Sequence, residues 1–185
     1  VLSVMITVGF IGTFGYNFSV VLPLLGGFVL HTDAMGFGAL SSALGIGSSL
    51  GALTAAFFQK VSLKRLLAAA AGFSILLATV ALSTQLLLSE ILLVVLGFFG
   101  VIFSTNAATL IQTTVEDHLR GRVTSLYFLL FAGSTPIGSF LIGTISSRLN
   151  VRDALLICAT LCLFGVAVSS GYAYLVHKRS APSAL

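Results

Sequence analysis

Six apolar runs divide almost the whole sequence, and each approaches or exceeds the roughly 20 helical residues that cross a bilayer's hydrocarbon. They read as spans at about Ser3 to Leu30, Ala39 to Phe58, Leu66 to Thr84, Ile91 to Thr113, Val123 to Ser146 and Ala154 to Val176. A backbone inside lipid must satisfy its own hydrogen bonds, so runs of this length fold as helices. Composition agrees, because 57% of the residues are apolar and only 8% are charged, too few to cover a water-soluble globule. The expected fold class is an all-α membrane protein with six transmembrane helices. Pro23 and Pro136 mark expected kinks in the first and fifth spans.

The net charge of +4 does not point to nucleic acid, since the cations form short clusters between apolar runs without stacking aromatics. They set orientation instead, because Lys and Arg are retained on the cytoplasmic side. Lys60, Lys64 and Arg65 follow the second span, Arg120 and Arg122 the fourth, and Lys178 and Arg179 the sixth; only Arg148 and Arg152 fall on the other side. Both ends of the segment are therefore expected in the cytoplasm, with residues 177–185 as a tail.

Two short strings return at an offset of 88 residues: Gly9-Phe10-Ile11-Gly12 as Gly97-Phe98-Phe99-Gly100, and Lys60-Val61-Ser62-Leu63-Lys64 as Arg148-Leu149-Asn150-Val151-Arg152. Three helices separate the copies, so each matched segment crosses the membrane in the opposite sense. This predicts one six-helix domain over residues 1–185 built from two inverted three-helix repeats, 1–88 and 89–176, an architecture of membrane transporters. Chance similarity between Gly- and Phe-rich helices is the plainer reading. A superposition of the two units separates the readings.

The stretch Glu116-Asp117-His118-Leu119-Arg120-Gly121-Arg122-Val123, followed by Gly133, Pro136, Gly138 and Gly143, resembles the link between the fourth and fifth helices in the C-terminal half of major facilitator superfamily transporters. Its flavour is similar to the bacterial exporter branch that includes macrolide efflux pumps and siderophore exporters. The resemblance implies a twelve-helix fold of two six-helix halves, of which this chain supplies one, in a bacterial plasma (inner) membrane. The opening at Val1, inside an apolar run and without an initiator Met, favours a fragment. The expected partners are the lipid bilayer, a small-molecule substrate, and either an N-terminal six-helix half or a second copy of the chain.

Gly47, Gly51 and Ala55 recur at four-residue spacing in the second span, as do Ser139, Gly143 and Ser147 in the fifth. Such stripes let a neighbouring backbone approach closely. They serve packing within this unit or, as the resemblance implies for these two helices, a sliding contact with the other half.

No Asp, Glu, Lys, Arg or His falls in a span centre, so no ionisable relay is expected there. The polar candidates are Tyr16 and Asn17 in the first span and Thr105, Asn106, Thr109 and Gln112 in the fourth. Thr105, Thr109, Gln112 and Glu116 follow helical spacing as one stripe. Thr back-bonding to its own helix and amide contacts between helices are the plain explanation. The alternative is a substrate cavity, since the resemblance places the first and fourth helices along the central path. Phe14, Phe18 and Phe103 would add an adaptable wall for a lipophilic substrate.

At the cytoplasmic loops, Lys60, Lys64, Arg65, Arg120 and Arg122 face the side of Glu116 and Asp117. They form a latch of ion pairs, or only enforce topology and touch anionic headgroups. Cys158 and Cys162 read as lipid-facing packing residues, because two thiols do not make a metal site. No catalytic residue, metal or cofactor is expected. The sequence therefore describes a secondary transporter working by alternating access, with export of a lipophilic or amphipathic compound as its direction. A membrane-embedded enzyme, with Glu116 to Arg122 as its only dense polar cluster, and a non-transporting assembly subunit are the rivals.

Overall fold

The structure, a computed structural model, describes residues 1–57 and 61–180. Every regular element among them is helical: α1 (Leu2–Phe14), α2 (Phe18–Leu24) continuing into a π-helical turn (Leu25–Val29), α3 (Ala34–Phe57), α4 (Leu63–Leu82), α5 (Leu86–Thr114), α6 (Asp117–Phe131), α7 (Thr135–Arg148) and α8 (Val151–Ser180). Grouped by length and hydropathy they make six spans, with α1, α2 and the π turn forming the first (Leu2–Val29) and α6 with α7 the fifth (Asp117–Arg148).

α3 and α4 begin a few residues before their apolar runs because polar side chains cap their first turns there. Asp33 accepts hydrogen bonds at Oδ1 from the Met35 and Gly36 amides, which starts α3 at Ala34 instead of Ala39. Ser62 caps α4 by accepting from the Arg65 amide. Each cap satisfies donors that the first turn of a helix leaves without partners. α5 likewise begins before Ile91 and carries Glu90 inside its first turns. α8 runs on to Ser180, so residues 177–180 of the expected tail are helical.

The bundle is threaded by α5, which packs between α3 and α4; α4 in turn packs on α8, α8 on α1, and α1 on α6 and α7. Phe73, Leu77 and Ala70 of α4 are fully buried beside Phe103 and Leu96 of α5 and Val8 and Ile11 of α1. Within a bilayer such burial stabilises through close dispersion contact rather than escape from water. Burial is uneven: half of the first span is enclosed, against 22% of α3 and 11% of the fifth span. α3 and the fifth span thus turn most of their apolar surface outward, including Ile46, Leu50 and Leu53 on one and Phe128, Leu129 and Phe140 on the other. Cys158 and Cys162 do not face lipid; both are buried, with the Cys162 thiol 3.9 Å from the Phe10 carbonyl oxygen on α1.

Candidate functional site: a junction of two interrupted spans

The first span is not one helix. α1 ends at Phe14, residues Gly15 to Asn17 make a break, and α2 restarts at Phe18 with Asn17 at φ −96° and ψ 38°. Gly15 is required by contact, since a Cβ there would lie 2.6 Å from the Phe73 ring. Asn17 is completely buried and holds the break together. Its Nδ2 donates to the Thr13 carbonyl at 2.6 Å, and its Oδ1 accepts from the Ser139 hydroxyl of α7 at 2.9 Å. An amide buried in apolar surroundings needs both partners, because leaving either half unpaired costs about 1–3 kcal/mol.

The fifth span is interrupted opposite this point. α6 stops at Phe131, α7 starts at Thr135, and Pro136 sits in the first turn of α7, where a missing N–H does no harm. Gly138 of α7 touches the Thr13 carbonyl directly and leaves 2.6 Å between a notional Cβ and Asn17 Nδ2. A Cβ on Gly12 of α1 would likewise lie 3.1–3.2 Å from the Phe131 and Leu130 backbone. The two interruptions therefore abut, glycine against backbone, with one side-chain hydrogen bond between them. Pro23 lies inside α2, two residues before the π turn, and the backbone leaves that turn through His31 at φ 49°. Single π turns of this kind recur at functional sites.

Tyr16 ties the break to the rest of the bundle. Its hydroxyl donates to the Gly100 carbonyl of α5 at 2.5 Å, and its ring stacks on Phe73 at 5.3 Å and meets Phe131 edge-on at 4.7 Å. Phe18 closes on Phe73 at 6.2 Å. One residue thereby links α4, α5 and the interrupted fifth span. Aromatic pairs at these separations contribute roughly 0.5–1.5 kcal/mol each beyond their burial.

The polar residues of α5 lie elsewhere. Thr105, Asn106 and Thr109 line a cavity of about 400 Å³ between α3, α4 and α5, together with Ala55 and Arg65. Thr109 spends its hydroxyl on the Thr105 carbonyl. Asn106 Nδ2 donates to the Ile102 carbonyl at 2.8 Å, while its Oδ1 is buried with no partner among the described residues. Gln112 is exposed and outside that lining. The six polar candidates thus fall into a junction pair, Tyr16 and Asn17, a cavity trio, and Gln112 on its own. Glu116 is not on the stripe, because Val115 turns extended at ψ 136° and ends α5 first.

The small-residue stripes have different surroundings. Gly47 touches the Val94 carbonyl, Gly51 places a Cβ 2.7 Å from the Phe98 carbonyl oxygen, and Gly97 answers by touching the Leu44 carbonyl. The Gly47 and Gly51 edge of α3 is therefore occupied by α5 of the same chain. A Cβ on Gly143 would meet nothing within 4 Å among the described residues, and of the α7 glycines Gly138 makes the close approach. Among the charged residues, Arg120 pairs with Asp117 at 2.6 Å and His118 lies 3.4 Å from Glu116, contacts within one exposed segment that contribute little to stability. Lys64 and Arg122 are exposed, and Lys60 lies outside the described residues.

Sequence reasoning missed Thr13 and Phe73, and drew Gly138 only into the family resemblance. Thr13 acts through its carbonyl, which carries no side-chain signal. The spacing of Asn17 and Ser139, 122 residues apart, leaves no periodic trace.

Six apolar helices and interrupted spans that meet inside the bundle define a multi-pass membrane protein of the transporter kind. A family model described as Transmembrane secretion effector, of the major facilitator type, matches residues 1–182, and the chain belongs to that family. No curated protein matches it.

Proposed function

We propose that this chain forms one six-helix wall of an alternating-access exporter that moves a lipophilic or amphipathic small molecule across the bacterial plasma membrane. In that reading both termini of the segment are cytoplasmic, and the opposite wall comes from another six-helix half or a second copy. The observation that carries it is the abutment of the two broken spans at Asn17, Ser139 and Gly138. Interrupted helices in transporters mark the substrate path, because freed backbone groups are tolerated in a membrane only where protein or a cavity satisfies them. The junction acts as a joint at Tyr16 and Asn17, while Thr105, Asn106 and Thr109 line a separate cavity between α3, α4 and α5.

Two arrangements support the reading. Exchanging the first three spans for the last three carries the α3–α5 contact onto the contact between the fifth and first spans, and α4–α5 onto α8–α1, as inverted repeats require. The outward apolar faces of α3 and the fifth span suit a second wall.

The test is export by the full-length transporter in proteoliposomes. Asn17→Ala, compared per folded protein recovered and assayed well below its lowered melting temperature, should reduce the export rate at least tenfold, and unchanged kinetics would remove the joint from the mechanism.

A further inference from the structure

We propose that the slot between α3, α4 and α5 binds an acyl chain of an anionic phospholipid from the adjoining leaflet, with the lipid phosphate held at Arg65 and Lys64. The inference goes beyond the export reading and does not depend on it. The slot encloses about 400 Å³, within the range of small-molecule sites. α3 and α4 both pack on α5, and the space stands between them, walled by Ala55, Ala69, Phe98, Phe99 and Ile102.

Its depth matches a lipid chain. The lining on α5 runs from Phe98 to Thr109, about 16 Å along a helix axis. α5 extends over Leu86–Thr114, so Phe98 stands near its middle and Thr109 toward one end. The slot therefore covers about the 15 Å that one leaflet contributes to a hydrocarbon core. It also opens sideways. Ala68 on its rim is exposed and belongs, with Ile75 and Leu82, to an outward apolar stripe at seven-residue spacing on α4. In a membrane-spanning chain such a stripe meets acyl chains, so the side of the slot is open to lipid.

The charge at the mouth selects an anion. Arg65 lines the slot and Lys64 stands beside it, both exposed in the first turn of α4. Gly72 faces the Phe99 ring and Gly100 the Phe73 ring, an antiparallel register that sets Arg65 level with about residues 106–108, at the Thr109 end. The first turn of α4 contains no acidic residue, so its cations stand at the positive end of the helix dipole, where an anion is favoured. A bilayer presents phosphate at this depth, and each Lys or Arg near its surface strengthens attraction to anionic lipid about fivefold.

The chain contains no tryptophan, so one introduced at the inner end of the slot reports what lies there. Phe98→Trp is reconstituted into vesicles of phosphatidylcholine and phosphatidylglycerol in varying ratio, with either lipid brominated toward its chain ends as a contact quencher. Phosphatidylglycerol should compete for the reporter about tenfold better than phosphatidylcholine. Arg65→Gln should lower that preference about fivefold, and Arg65→Gln with Lys64→Gln should abolish it; both positions are exposed, so these variants should fold as the parent does. Ile102→Trp, on the same wall, should give the same preference and serves where Phe98→Trp is recovered poorly. Phe140→Trp, on the exposed face of α7, should show none. Equal competition by the two lipids, or a preference that survives the double substitution, overturns the proposal. So does a reporter that neither lipid quenches, which would place a second protein wall over the slot. Asn17→Ala should leave the preference unchanged while slowing export, so failure of the site and failure of the transport reading are told apart.

Discussion

The same kind of helix pair is built twice in this molecule, in two ways. α3 and α5 are continuous and press glycine edges together, with Gly47 and Gly51 against the Val94 and Phe98 carbonyls and Gly97 against Leu44. The first and fifth spans also meet through glycines, Gly12 and Gly138, yet both are interrupted where they meet, and Asn17 and Ser139 bridge the gap. The first contact is a long backbone-to-backbone seam with two arrangements available only through disruption. The second is a short seam with a hydrogen bond that can break and re-form. The difference teaches where the proposed joint belongs: in that reading the first seam fixes the bundle and the second flexes.

Filling the α3–α5 seam should have the largest effect. Gly47→Leu drives a side chain into the Val94 carbonyl, and overpacking without room to relax costs about 1–3 kcal/mol or more. The variant should be lost from the monodisperse fraction on size exclusion, and normal recovery would show the seam to be looser than described. Asn17→Ala comes next, because it removes the bond to Ser139, worth roughly 0.6–1.7 kcal/mol between membrane helices, and the local bond to Thr13 that holds the break. Its melting temperature can be read with a thiol-reactive dye, since Cys158 and Cys162 are buried until the fold opens. In a double-mutant cycle with Ser139→Ala, a coupling near zero would separate the two residues. Tyr16→Phe keeps the stacking on Phe73 but loses the bond to Gly100, so a destabilisation of about 0.5–1 kcal/mol is expected from the same melt. Gly143→Leu is the smallest: its surroundings are open, so stability should shift by less than about 0.5 kcal/mol. A fall in export by that variant would locate a partner wall against α7.

The number and class of the spans were legible because bilayer thickness imposes a length on any apolar helix. Their ends were less so, since Asp33 and Ser62 extend α3 and α4 by capping rather than by hydrophobicity. The two stripes looked alike in sequence, but spacing does not say what stands opposite, and Gly51 meets Phe98 where Gly143 meets open space. The break at Asn17 was hidden for a similar reason. A lone Asn within an apolar run is compatible with an unbroken helix, as Asn106 in α5 demonstrates. What distinguishes Asn17 is Ser139, supplied by a helix far away in the chain.

Amide hydrogen exchange on the intact protein in nanodiscs tests the contrast between the two seams most directly, because it reports local opening. The account predicts that amides of residues 15–18 and 132–135 exchange at least a hundredfold faster than those of residues 47–51 and 94–98. Equal protection at the two seams would contradict it.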